Sequence, residues 1–327
     1  MNGERLDNSL IHWTAWLTAA VALLPIGVGA LVTTLDAGMA FADWPTSDGQ
    51  NMLLYPWLQS ARDEFVEHGH RLAGMVVGFC SIALVVVAWT QSRLRIHRVG
   101  SLLILLAVIV QGVLGGTRVL WDERVLAMVH AVFAACFLCG VAVFVQVTSR
   151  QWSQVAETQP TPNRPDWTQL KFLTSIAPLV VLGQFVVGSL VRHQGRALHA
   201  HLGLAFVVTI LLAVTAYHAW RTRDRWLRTA AAFVVASLLV QISLGAGAWA
   251  TRFGLPMFDY VAVQHSPLQL TVRSAHTVTG MLLLVSTVIL ASRTYRLESI
   301  QVRSRRRQTS AGRTSTSPLA VASKGVS

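Results

Sequence analysis

Eight apolar runs dominate the chain, at roughly 13–34, 70–91, 99–120, 125–147, 171–191, 199–219, 228–250 and 274–292. At about 1.5 Å of rise per residue, each is long enough to cross a hydrocarbon layer about 30 Å thick. Backbone polar groups find no water there, so each run must be a helix. The chain is 53% hydrophobic and only 13% charged. About 25% charge is usual for a soluble domain, so these values exclude a soluble fold. The predicted fold class is all-α: a polytopic membrane protein with eight transmembrane helices.

The net charge of +12 would suit a nucleic-acid binder, but its distribution follows topology instead. Of the 27 basic residues, 19 fall on one side: near the N-terminus, between runs 2 and 3, 4 and 5, and 6 and 7, and after run 8. The other eight, Arg62, Arg71, Arg118, Arg124, Arg192, Arg196, Arg252 and Arg273, lie toward the opposite side. The positive-inside rule then places both termini in the cytoplasm of a cell membrane. The tail motif Arg303-Ser304-Arg305-Arg306-Arg307 reads as a topology anchor or anionic-lipid contact, and no nucleic-acid partner is expected. The first run is too long for the apolar part of a signal peptide, and Glu4 and Asp7 precede it. Cys80, Cys136 and Cys139 all fall inside apolar runs, so no outer-face disulfide is expected.

The runs repeat. Gln111-Gly112-Val113-Leu114-Gly115 in run 3 is echoed by Gln184-Phe185-Val186-Val187-Gly188 in run 5 and by Gln241-Ile242-Ser243-Leu244-Gly245 in run 7. Run 1 ends in the Gly-rich stretch from Gly27 to Thr34. Each such run leads through an outer loop into a run that opens with histidine: His68 and His70, His130, His199 and His201, then His276. A polar, Pro-rich linker at 149–170 separates two copies of this arrangement. Two four-helix halves related by a parallel repeat are implied. His12, His97 and His218 fall at cytoplasmic edges and His193 and His265 in outer loops, where solvated side chains are expected.

Two histidines per four-helix bundle, on different helices at similar depth, suit axial ligation of a haem. Zinc fits less well, because its tetrahedral sites want a tighter cluster with Cys or carboxylate partners. Spacing does not decide between His199, with Gly203 four residues on, and His201, with Ala205. Glu67-x-x-His70-Arg71 adds a carboxylate one turn from an imidazole at the mouth of run 2, where ionisable groups mark function.

At these residues the chain resembles the haem A synthase family. The matching features are Val32-Thr33-Thr34 leading to Asp43-Trp44-Pro45, the Glu67-x-x-His70-Arg71 signature, Gln111-Gly112 ahead of His130, and the second-half histidines. The resemblance implies oxidation of the C8 methyl of haem O to the formyl of haem A, with Glu67 in catalysis. It implies that His70 and His130 hold the substrate haem, with Arg71 beside them, and it selects His201 with His276 as axial ligands of a b-type haem. Domains follow: 1–150 for the substrate haem, 151–169 as cytoplasmic linker, 170–298 for haem b, and 299–327 as a basic, disordered tail. The haem sites lie toward the outer face. Expected partners are haem O, a haem O synthase, an electron acceptor and membrane lipids, and a homo-oligomer is compatible. The competing reading is a four-His membrane b-type cytochrome, which would not need Glu67. A transporter would carry more polar midplane residues than Gln111, Gln184 and Gln241.

Overall fold

The computed structural model describes residues 3–157 and 167–315. Its long helices are α1 (Gly3–Thr34), α2 (Arg62–Gln91), α3 (Arg95–Trp121), α4 (Arg124–Thr148), α6 (Trp167–Gln194), α7 (Leu198–Arg221), α8 (Arg225–Phe253) and α9 (Pro267–Ser315). A short α5 (Arg150–Glu157) follows α4. Eight helices are long and apolar enough to cross a membrane, as the apolar runs predict, so the chain is a multi-pass membrane protein. Their outward faces carry Trp13, Phe79, Leu103, Phe172, Phe206 and Phe233, each more than half exposed, as suits side chains whose solvent is lipid.

Neighbouring helices pack in the same order in both halves. In the first, α1 meets α2, α2 meets α3, α3 meets α4, and α4 closes back on α1. In the second, α6, α7, α8 and α9 close in the same way. The seam runs along α4 against α6 and α9, and α1 against α9. Small residues bring backbones close there, with Ala135 and Ala177 fully buried beside Leu138, Val181, Leu284 and Leu290. A polar clasp crosses the seam near the linker end. The Gln146 amide donates to Ser292 Oγ at 2.7 Å, and Arg293 donates to Gln146 Oε1 and the Trp226 carbonyl, both at 2.8 Å.

Connections at the histidine end are 35–61, 122–123, 195–197 and 254–266. The longest is pinned by its own polar groups. Asp43 accepts from Thr46 Oγ1 and from the amides of Asp48 (3.0 Å) and Gly49 (2.9 Å). Partial burial pushes the Asp43 carboxyl upward, but these hydrogen bonds outweigh it and hold it below the ordinary carboxylate value.

Three expectations change. The linker is partly helical, since α5 occupies 150–157; positions 158–166 lie outside the described residues. The tail expected to be disordered continues α9 as far as Ser315, and positions 316–327 lie outside the description. Leu297 is buried and Glu298 accepts from Lys171 Nζ at 2.8 Å, so packing and an ion pair carry the helix past the last apolar run. His12 and His97 are not solvated: His12 Nδ1 contacts the Val145 carbonyl and Thr148 Oγ1, both at 3.1 Å, and buried His97 meets Ser92 Oγ at 2.9 Å.

Candidate functional site

Helices α2, α4, α7 and α9 enter the membrane with His70, His130, His201 and His276 in their opening turns. Each imidazole packs against a glycine of the helix before it, with Cε1 nearest. A methyl carbon added at Gly29 of α1 would come within 2.8 Å of His70 Cε1. At Gly115 of α3 it would approach His130 Cε1 to 3.1 Å, at Gly188 of α6 His201 Cε1 to 3.0 Å, and at Gly245 of α8 His276 Cε1 to 3.1 Å. At Gly29 a side chain would force the ring to move, and at the other three it would crowd the ring by a few tenths of an ångström, which is the physical content of the repeated glycine.

Four residues before each glycine, and so on the same helix face, sits a polar group that touches the same histidine. Gln111 Nε2 lies 3.1 Å from His130 Nε2 and donates to the His130 carbonyl at 3.1 Å. Gln184 Nε2 donates to the His201 carbonyl at 3.0 Å, and Gln241 Nε2 lies 3.4 Å from His276 Nε2. In α1 the place is taken by Pro25, whose carbonyl is 3.0 Å from His70 Nδ1.

The histidines come together in two pairs. His70 and His130 have ring centres 6.2 Å apart with planes at 70°; His201 and His276 are 6.3 Å apart at 82°. A metal–imidazole bond is about 2.0 Å, so one ion between two inward-pointing imidazoles separates their centres by about 6 Å. Both pairs meet that spacing. Nδ1 of His130, His201 and His276 is buried with no hydrogen-bond partner, as are the Oε1 atoms of Gln111, Gln184 and Gln241. Buried polar atoms of this kind are rarely left unpaired, so their concentration around the ring pairs marks places built for a further group. Among the described residues there is no cluster of three or more His, Cys, Asp or Glu side chains suited to a bare ion. Two imidazoles with four coordination positions left to a planar ligand fit a haem.

Glu67 and Arg71 lie on α2 beside the first pair. Glu67 is buried, and Arg71 donates to its Oε1 at 2.7 Å. Its Oε2 accepts from the amides of Ala40 (2.8 Å) and Phe41 (3.4 Å) in the long outer loop. Arg71 also donates to the carbonyls of Asp43 (3.0 Å) and Thr46 (2.7 Å). The helix begins early enough to put Glu67 and His70 one turn apart, as the sequence suggests. Yet the carboxylate is directed to the loop as well, and the pair fastens residues 40–46 over the mouth of the bundle.

Other cations stand at the same level. Arg118 donates to the Gly38 carbonyl, with its guanidinium packed against that glycine. Arg192 donates to Ala30, Thr34 and Thr277. Neither pairs with a carboxylate among the described residues.

His199 is exposed, whereas His201 enters a ring pair. His68 is buried in the loop's own core, 3.1 Å from Ser47 Oγ and packed against Tyr55. Sequence reasoning passed over Pro25 and the role of the glutamines. The signal was present as Gln-x-x-x-Gly. The His-x-x-x-Gly spacing carries less information: Gly74 and Gly203 have nothing within 4 Å of an added methyl, whereas at Gly280 the methyl would meet Gln241 Nε2 at 3.2 Å.

Residues 12–201 match the family of cytochrome oxidase assembly proteins denoted COX15-CtaA. The chain is 30% identical to the heme A synthase of Symbiobacterium thermophilum over 266 residues, covering 69% of this chain and 81% of that protein. It is 28% identical to the heme A synthase of Halalkalibacterium halodurans over 151 residues, and 32% identical to that of Bradyrhizobium diazoefficiens over 161 residues. Those two matches each cover 46% of this chain and span 47% and 44% of the relatives, so they reach about half of their length.

Proposed function

The chain belongs to this COX15-CtaA family of cytochrome oxidase assembly proteins, and from that premise we propose that it is a haem A synthase, a membrane oxidoreductase that converts the C8 methyl of haem O to the formyl of haem A. The observation that carries the reading is the glycine-backed histidine repeated four times, which makes two imidazole pairs of matching spacing. In this reading the half 1–150 works on the substrate and the half 170–298 carries a resident b-type haem. His70 and His130 hold haem O, and His201 and His276 hold haem b, which supplies one-electron redox chemistry when bound. Positive-inside topology puts both sites toward the outer face of the cytoplasmic membrane, with both termini inside.

Turning a methyl into a formyl is a four-electron oxidation in which two C–H bonds break, a water supplies the oxygen of the new C=O bond, and four protons and four electrons leave. The protein must therefore take up protons and admit one water while excluding others. Glu67 is the group we assign to accept a proton: a buried carboxylate one turn from His70, oriented by the Ala40 amide and Arg71. The loop that it holds, with Trp44 packed on Gly116 and Phe41 fully buried, covers the bundle mouth beside the first histidine pair and would shield a bound substrate from bulk water. Arg71 and Arg118 are the cations assigned to the propionates of the substrate, and Arg273 to those of haem b. A haem O synthase supplies the substrate, and a separate electron acceptor takes the electrons.

The test is chemical. The protein expressed with a haem O source should yield haems B, O and A on extraction and chromatography. Glu67→Gln should still bind haem but lose haem A by on the order of 10²-fold or more. Extracted haem B alone from the unaltered chain would favour the electron-transfer cytochrome.

A further inference from the structure

We propose that Arg192 is a shared cation that couples the two histidine pairs electrostatically. The inference rests on the reading of both pairs as haem sites. Arg192 sits in the last turns of α6, in the second half, yet its NH2 donates to Thr34 Oγ1 at 2.7 Å and to the Ala30 carbonyl, both on α1 of the first half. Its NH1 donates to Thr277 Oγ1 of α9 at 2.8 Å. Ala30 follows Gly29, the residue on which the His70 ring lies. Thr277 follows His276. One guanidinium is thus hydrogen-bonded to the immediate neighbour of a first-pair contact and to the immediate neighbour of a second-pair ligand. A second strand of the same strap joins Thr34 Oγ1 to Ser274 Oγ at 3.2 Å.

The chemistry of the strap is unusual. All of its acceptors are neutral, and Arg192 forms no ion pair among the described residues. Asp36 acts on it only through space, and a cation held by neutral acceptors raises the potential of its surroundings. It favours whichever redox state of a nearby haem carries less positive charge, which is the ferrous state. The haem between His201 and His276 should therefore hold its electron more tightly because of Arg192. Since two of the groups that fix the guanidinium belong to α1, a change in the first half should be felt by the haem of the second. Arg192 is a positioning residue in this scheme, acting on the field at the second site and not on the reacting atoms.

The experiment is a redox titration of the haem in purified full-length protein, followed by its optical spectrum. Arg192→Gln removes the charge and keeps a hydrogen-bonding side chain. Its retained haem should shift toward the ferric form on the order of tenfold at a given ambient potential, or 59 mV for that factor in a one-electron couple. Thr34→Val alters only α1, removes one acceptor of Arg192 and breaks the Thr34–Ser274 contact, so it should move the same haem in the same direction by less. Arg192→Lys keeps the charge and should stay near the unaltered value. A bound haem whose potential is the same in all of these variants overturns the proposal, and if Arg192→Gln does not accumulate, an unchanged potential in Thr34→Val does so alone. An unaltered chain that binds no haem would instead sink the reading of the histidine pairs, a result distinct from either.

Discussion

Gly29→Ala isolates the glycine-backed histidine from everything else the helix does. The new methyl would sit 2.8 Å from His70 Cε1 and 3.1 Å from Nδ1, closer than carbon atoms approach without something moving. The ring cannot slide freely, because Nδ1 is 3.0 Å from the Pro25 carbonyl. Displacing it adds an overpacking cost of about 1–3 kcal/mol to a lost hydrogen bond worth about 0.5–1.5 kcal/mol. Together these weaken haem binding at the first pair by about 1.5–4.5 kcal/mol, or roughly 10- to 1,600-fold at about 1.4 kcal/mol per decade. The helix itself gains about 0.5–1 kcal/mol from alanine over glycine, so thermal stability should not fall in step. Gly27→Ala is the control: it lies on the same helix with nothing within 4 Å of an added methyl, and it should bind haem normally. The assay is haem titration by absorbance, beside a thermal melt of the apoprotein. Equal affinity in Gly29→Ala and Gly27→Ala would refute the reasoning, because it would mean that His70 is not held where the haem is bound.

His201→Ala should abolish the spectrum of the second-half haem while His199→Ala leaves it intact; the opposite result would show that the exposed histidine is the ligand. Gly188→Ala should weaken that same haem, with a methyl 3.0 Å from His201 Cε1, and a full-strength spectrum would count against the module being equivalent in both halves. Asp43 has its carboxyl held down by Thr46, Gly49 and Asp48, so its contribution to the outer loop is present above the unfolded value of about 3.9 and is lost as pH falls through the lower folded value. Hydrogen exchange of 43–49 should stay slow from pH 7 to about 4 in the unaltered chain, and Asp43→Asn should speed it across that whole range; equal rates would show that the carboxylate does not hold the turn.

The eight helices and the histidine positions were legible because bilayer length and helix-start chemistry act locally. A run of about 20 apolar residues has one stable form in lipid, whatever its neighbours do. Pairing was only half legible. That His201 and not His199 enters a ring pair depends on which face of α7 meets Gly188 of α6, a tertiary fact that His-x-x-x-Gly spacing misrepresents. The start of α2 a further turn ahead of Glu67 was less legible. Arg62 to Val66 are polar enough to read as loop, but Glu64 accepts the Ala61 amide at 3.3 Å and the Tyr55 hydroxyl at 2.9 Å, which caps the helix ahead of its apolar part. Glu67 carries a signal that no spacing rule could split. Its two oxygens serve Arg71 and the loop amides in the same geometry that places it beside His70.

The repeat is most informative where it fails. Three of the four histidines meet a glutamine amide, and the fourth, His70, meets the carbonyl of Pro25. A carbonyl can only accept, so it fixes His70 in the tautomer with the proton on Nδ1 and turns Nε2 into the free lone pair. A glutamine amide can donate to a ring nitrogen or rotate to accept from it, and so leaves the tautomer of its histidine open. An imidazole N–H given to a carbonyl makes the opposite nitrogen a stronger donor to a metal. In the half assigned to a substrate that must enter and leave, one ligand is thus set by the backbone and the other, His130, by an adjustable side chain. In the half assigned to a resident haem, Gln241 meets the His276 ring while Gln184 meets the His201 backbone carbonyl, so permanence there must come from the surrounding packing. That packing is heavier: the larger buried apolar cluster draws most of its residues from α6 to α9, whereas the smaller one lies wholly in α1 to α4.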